Sequence, residues 1–156
     1  MYNGCIIVTG ASRGIGAAIA FELASAGYSV GCLSRSGELP AIANMSTDVS
    51  NRWYAVKCDV SQSAQLEAAF AEVKKRSGLP LVGLVNNAGI HSEGPVEKID
   101  ADEFRHVMDI NVLSVLIASQ TIYPHLLKNN GGMVINIGSF FDKLGIKHHQ
   151  IGRAHV

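Results

Sequence analysis

The chain is short of charge. Its 156 residues carry 13 lysines and arginines against 13 aspartates and glutamates, so the formal net charge is zero and charged residues make up 17%. About 25% is usual for a globular domain. Without an excess of cations there is no counterion-releasing surface, which argues against a nucleic-acid or anionic-membrane partner. The basic tract Lys74-Lys75-Arg76 is short and falls at an expected helix end, where cations are common. Long apolar runs are also lacking. A spanning helix needs about 20 mostly apolar residues, and the longest uncharged stretch, Ile110 to Leu127, is interrupted by Asn111, Gln120, Pro124 and His125. The N-terminus has no basic region of the kind that opens a signal peptide. Cysteine is scarce: Cys5, Cys32 and Cys58 show no CxxC spacing and sit in apolar surroundings, so they read as small buried hydrophobes. His148, His149 and His155 have no carboxylate or cysteine to complete a metal set. A cytoplasmic protein that binds no metal is expected.

Glycine, by contrast, is plentiful, with 16 residues. Apolar runs and helical periods alternate. Cys5 to Thr9 is a continuous apolar run, as befits a strand buried on both faces. Ile15, Ala18, Ile19, Phe21 and Leu23 then define an apolar helix that Gly27 can close. Strands are expected at Ser29 to Leu33, Trp53 to Lys57, Leu81 to Val85 and Met133 to Ile137. Between the second and third strands the pattern is weak, with a short helix around Leu39 to Met45. Ser61 is expected to cap a helix with Leu66, Ala69, Phe70 and Val73 on one face, ended by Gly78 and Pro80. Asp100 followed by Glu103 resembles a capping box opening a long helix to about Lys128, whose last turn Pro124 should kink or shorten. This β-α alternation implies a parallel sheet with right-handed crossovers and helices on both faces. Ligands of such sheets bind beyond the carboxyl ends of the strands.

After the first strand comes Thr9-Gly10-Ala11-Ser12-Arg13-Gly14-Ile15-Gly16. Glycines there permit a tight turn, close approach of a pyrophosphate to the backbone and close packing of helix on sheet. The spacing is GxxxGxG, not GxGxxG, and by itself it is compatible with a plain tight turn. Four more signatures follow in order: Cys58-Asp59-Val60, Asn86-Asn87-Ala88-Gly89, Asn111 and Gly138-Ser139. Together the five resemble the classical branch of the short-chain dehydrogenase/reductase (SDR) family, over Cys5 to about Gln150.

The resemblance implies an α/β, Rossmann-like, doubly wound parallel sheet of five strands in the order 3-2-1-4-5, lacking the last strands of the family fold. It implies a cofactor site built from Gly10, Ser12, Arg13, Gly14, Ile15 and Gly16, with Asp59 and the Val60 backbone at the adenine and Asn87, Ala88 and Gly89 beside the adenosine ribose. Asp59 is also placed for helix capping, and Asn86 for holding the central sheet together. The position about 20 residues past the glycines discriminates the cofactors: an acidic residue binds a ribose 2′-hydroxyl, an arginine a 2′-phosphate. Here it is Arg35, Arg13 adds a second cation, and no carboxylate is read beside them, so NADP(H) is expected. Asn111 is a polar amide on an apolar stripe with Val107 and Met108. Burying it unpaired costs about 2–7 kcal/mol, so something polar should meet it. In the family the matching Asn supports a water leading to a catalytic lysine; a satisfied core amide is the alternative. Ser139 matches the serine that orients the substrate carbonyl.

The family's YxxxK motif belongs near positions 152 to 153, where the chain reads Gln150-Ile151-Gly152-Arg153-Ala154-His155-Val156. Tyr2, Tyr28, Tyr54 and Tyr123 all precede Ser139, and none has lysine four residues later. The expectation is a cofactor-binding portion, residues 1–150, of an NADPH-dependent reductase acting on a ketone or aldehyde, 3-oxoacyl thioesters included, from a homo-oligomeric parent (dimer or tetramer). Residues 151–156 are expected to be a non-native tail, because IGRAHV back-translates into a run resembling a sequencing adapter. On that reading the literal chain is inactive and poorly soluble. A non-catalytic NADP(H)-binding module is the rival.

Overall fold

Cys5–Thr9 forms β1, and every one of its side chains is buried. The computed structural model describes residues 3–43 and 46–139. Strands β2 (Ser29–Ser34), β3 (Trp53–Lys57), β4 (Leu81–Asn86) and β5 (Met133–Asn136) join β1 in one sheet of order β3-β2-β1-β4-β5. All four pairings are parallel. Alternate residues of β1 point to opposite faces, as the pleat requires. Cys5 and Ile7 join a core with Leu66, Phe70, Val73 and Ile122, while Ile6 and Val8 join another with Ala20, Ala24, Val30 and Trp53. A strand covered on both sides has to be apolar throughout, which is why β1 shows no polar alternation.

Helix α1 (Gly14–Ser25) lies over the second core. Its buried face is made of Gly16, Ala17, Ala20 and Ala24 and not of the larger residues that defined the apolar pattern. Small side chains let helix and sheet approach closely; Ile19, Phe21 and Leu23 flank the contact half-buried, and Ile15 is 58% exposed. The indole of Trp53 donates to the Ala20 carbonyl at 3.1 Å, fastening α1 to β3.

Several sequence expectations need correction. Residues 39–43 are not helical, and 44 and 45 lie outside the described residues; a single turn, α2, spans Thr47–Ser50 instead. The Ala41 N–H donates to the Ser12 carbonyl at 2.9 Å, and this long-range bond ties the segment to the glycine turn. Helix α3 (Ser63–Ser77) has Gln62 as its N-cap, not Ser61, whose hydroxyl is engaged by Asp59. Gly78, with φ 65°, closes it. At α4 (Ala101–Met108), Asp100 accepts from the Asp102 and Glu103 N–H groups, yet the Glu103 carboxylate does not complete the box: it accepts from the Ser92 hydroxyl at 2.6 Å.

A π-helical turn, Asp109–Leu113, joins α4 to α5 (Ser114–Lys128), and the helix continues through Pro124 to Lys128. The composite helix has 28 residues and a window of mean hydropathy 1.3, enough by length and composition to cross a membrane. Its interrupting polar residues had argued otherwise. Here it packs on the sheet, with Ala118 and Ile122 buried in the core shared with Phe70 and Leu84. Strand β5 pairs with β4 alone among the described residues, and Met133, Val134 and Ile135 are exposed.

Candidate functional site

The parallel sheet brings the ends of β1, β2, β3 and β4 to one edge, where a cleft of about 720 Å³ opens. Its floor is the turn after β1. Gly14 has φ +60°, a conformation that side chains other than glycine resist, and a Cβ there would meet nothing within 4 Å, so the turn faces open space. Gly16 is glycine for a different reason. A Cβ on it would fall 2.2 Å from the Gly10 carbonyl oxygen and 2.5 Å from Asn87 Nδ2. Only a bare backbone lets α1 begin this close to the end of β1.

Asn87 and Thr9 lock this corner. Asn87 Nδ2 donates to the Thr9 carbonyl at 2.9 Å and the Gly10 carbonyl at 3.2 Å, while Thr9 Oγ1 accepts the N–H groups of Asn87 and Ala88, both at 3.0 Å. Asn86 has the structural role: its Nδ2 donates to Asn136 Oδ1 at 2.9 Å, tying β4 to β5. Helix α1 starts with no side-chain cap and no acid in its first turn. The first N–H groups of a helix have no intrahelical acceptor and carry the positive end of its dipole, so they suit an anion.

All twelve cofactor residues expected from the sequence line the cleft: Gly10, Ser12, Arg13, Gly14, Ile15 and Gly16 from the turn, Arg35 after β2, Asp59 and Val60 after β3, and Asn87, Ala88 and Gly89 after β4. Arg13 and Arg35 are exposed, and neither enters an ion pair among the described residues. Asp59 Oδ1 accepts the Ser61 hydroxyl at 2.7 Å and its N–H at 3.0 Å. Those bonds hold the Asp59 carboxyl below its ordinary pKa, with smaller help from the charges of Arg35 and His106. The capping role is filled in reverse, since the Asp59 N–H donates to Gln65 Oε1 at 2.9 Å. Beside it, burial and then the Asp59 charge push the Cys58 thiol up to about 11, so it is protonated at neutral pH.

The lining also includes residues to which the sequence reading gave no cofactor role: Ser34, Ser36, Glu38, Ala41, Cys58, Ile90 and Ile110. Glu38 corrects the expectation of a carboxylate-free rim. It stands three residues past Arg35 in the same loop, a proximity that the sequence displayed. Ile90 and Ile110 directly adjoin Gly89 and Asn111, which had been singled out.

Asn111 is 2% exposed and does not line the cleft. Its Oδ1 accepts the Ile90 N–H at 2.9 Å, and its Nδ2 donates to the Ile90 carbonyl at 2.7 Å. The expected polar partner is therefore the backbone just past Gly89, and the π-helical turn is the place from which the amide reaches it. Ser139 follows β5 and does not line the cleft either. Tyr28, Tyr54 and Tyr123 lie elsewhere: Tyr28 against the α1 core, Tyr54 under the Arg76 guanidinium at 5.9 Å, and Tyr123 exposed on α5. Tyr2, the three C-terminal histidines and residues 151–156 lie outside the described residues.

The lining suits a dinucleotide: helix-end N–H groups without a side-chain cap for a pyrophosphate, with Arg13, Arg35, Asp59 and Val60 in the same cleft. Comparisons with known proteins agree with that geometry. The family model described as short chain dehydrogenase matches residues 4–150. Farnesol dehydrogenase of Aedes aegypti is 40% identical over 137 residues, covering 85% of this chain and 56% of the relative. NADPH-dependent pterin aldehyde reductase of Arabidopsis thaliana is 30% identical over 142 residues, covering 90% of this chain and 58% of the relative. Among solved structures, Thermoplasma acidophilum aldohexose dehydrogenase superposes with a TM-score of 0.80 at 31% identity, over 94% of this chain and 53% of its own. The chain thus spans little more than half the length of the relatives it matches.

Proposed function

Since the chain belongs to the short-chain dehydrogenase family, we propose that its cleft holds NADP(H) and that the whole protein transfers hydride between this cofactor and a ketone or aldehyde, or the matching secondary alcohol. The observation that carries the cofactor choice is the pair Arg13 and Arg35, exposed in the cleft lining and in no ion pair among the described residues. A 2′-phosphate carries about −1.5 to −2 charge at neutral pH and suits two guanidiniums. The pterin aldehyde reductase among the relatives is NADPH-dependent by name, which supports the same choice.

In this reading the N–H groups of Gly14, Ile15 and Gly16 receive the pyrophosphate. Asp59 and the Val60 backbone meet the adenine, and Asn87, Ala88 and Gly89 the adjoining ribose. The bound cofactor supplies the hydride, and the protein supplies alignment. Ser139 would orient the substrate oxygen. Asn111 acts through the Ile90 backbone, holding the loop past Gly89 in place. The proton donor and its lysine partner, which the family's motif places beyond Ser139, would come from outside the described residues. The relatives' named substrates are farnesol, a pterin aldehyde and an aldohexose; a carbonyl or its alcohol is what they share, and a 3-oxoacyl thioester fits the same class.

A cytoplasmic location accords with three free, buried cysteines whose thiols burial pushes up to about 11 or 12. A dimeric or tetrameric parent is supported by the exposed Phe104, Leu113, Leu116, Tyr123 and Leu127 of the long helix. Calorimetric titration with NADP⁺ tests the cofactor assignment. Arg35→Ser should weaken NADP⁺ binding by about tenfold or more, since a charge-assisted hydrogen bond contributes about 1.5–3 kcal/mol. Undiminished NADP⁺ affinity in the variant would refute it.

A further inference from the structure

Two carboxylates line the cleft, and they are differently placed. Asp59 is engaged by Ser61. Glu38 is exposed, enters no ion pair among the described residues, and lines the same cleft as Arg13 and Arg35, three residues past the latter. The loop that carries it is fastened at several points. Gly37 donates its N–H to Ser34 Oγ at 3.0 Å, and the Glu38 N–H donates to Ser36 Oγ at 3.3 Å. Gly37, with φ +72°, packs on Lys57, and three residues past Glu38 the Ala41 N–H is bound to the Ser12 carbonyl of the glycine turn. The loop that places Glu38 in the lining of the cleft, with Arg35 three residues before it, is therefore fixed.

We propose that Glu38 is a specificity-determining residue that opposes Arg13 and Arg35 at the adenosine 2′ position, so that the chain discriminates only weakly between NADP(H) and NAD(H). The inference rests on the cofactor reading above and deepens it. A carboxylate at this rim acts with opposite sign on the two cofactors. It repels a 2′-phosphate, whereas a ribose 2′-hydroxyl is a donor that a carboxylate accepts, the interaction by which acidic residues favour NAD(H). The arginines draw the phosphate in, and Glu38 tempers that attraction. Two arginines set against Glu38 in one cleft make the preference graded.

The test is calorimetric titration of the chain, its Glu38→Gln variant and its Glu38→Asp variant with NADP⁺ and with NAD⁺, at low and high salt. A unit charge one physiological Debye length, about 8 Å, from a dianion at water-like permittivity changes binding by about fivefold. Glu38→Gln should therefore lower the NADP⁺ Kd by about fivefold at low salt and by less at high salt. NAD⁺ binding should stay the same or weaken. Glu38→Asp, which keeps the charge, should bind both cofactors as the parent does. An unchanged ratio of Kd values in Glu38→Gln overturns the proposal, and so does an equal shift for both cofactors, which reports a general change in the cleft. If the unaltered chain binds neither nucleotide, the cofactor reading itself falls and takes this inference with it. Thermal melts of the variants should match the parent's, because Glu38 is exposed and its carboxylate is in no ion pair among the described residues.

Discussion

A methyl group on Gly16 would sit inside contact distance of both the Gly10 carbonyl and the Asn87 amide. Backbone on one side and a doubly bonded amide on the other leave it no room to yield. Gly16→Ala should therefore destabilise the fold by about 1–3 kcal/mol, the usual cost of overpacking, and widen the turn that receives a pyrophosphate; urea denaturation and NADP⁺ titration of the same sample measure both. Asp59 gives a pH prediction. Its carboxyl titrates lower in the folded chain than in the unfolded one, because Ser61 donates to the ionised form. The unfolded chain then binds the proton first on acidification. The contribution to stability is complete above the unfolded pKa, near 3.8, and is lost as pH falls through the lower folded value. In Asp59→Asn the stability should fall less between pH 5 and pH 2 than in the parent, by chemical denaturation at each pH. The glycines and Asp59 were legible in the sequence because they recur in a fixed order at strand ends. Glu38 was overlooked because its importance comes from a loop that folds back onto the rim, not from its place in a motif.

The strands were readable to within a residue at each end; β1 and β2, buried throughout, are the continuous apolar runs that a parallel strand covered on both faces must be. The elements that misled were those decided by a distant partner. Leu39, Ala41 and Ile42 have helical spacing, but the Ala41 N–H is taken by Ser12. Ser61 has the chemistry of a cap and gives its hydroxyl to Asp59; Glu103 has the chemistry of a capping box and takes the Ser92 hydroxyl. Asn111 is the instructive middle case. Its odd polarity on an apolar stripe was visible, while the π-helical turn that lets it reach Ile90 was not. Asn111→Ala strands the Ile90 N–H and carbonyl, each worth about 1–3 kcal/mol if left unsatisfied. It should cost about 2–4 kcal/mol in urea denaturation and speed amide exchange at Ile90. A cost near zero would mean that water replaces the amide without penalty.

At the scale of the molecule, the described residues show one end of the sheet lined for a ligand and an edge strand that is apolar and exposed. At β5, Met133, Val134 and Ile135 are 56%, 40% and 39% exposed, and the strand pairs with β4 only among the described residues. An apolar edge of this kind promotes association. Ile135→Lys should raise the solubility of the chain and lower its binding of a hydrophobic dye without altering NADP⁺ affinity, since Ile135 does not line the cleft. The central claim, that the cleft at the strand ends is a dinucleotide site reading a 2′-phosphate, is tested most directly by following backbone amides in an NMR titration with NADP⁺. The account predicts saturable shifts at Gly14, Ile15, Gly16, Arg35, Ala88 and Gly89, with those at Arg35 reduced when NAD⁺ replaces NADP⁺. Shifts confined to β5 and the exposed helix face, or none at the glycine turn at saturating cofactor, would contradict it.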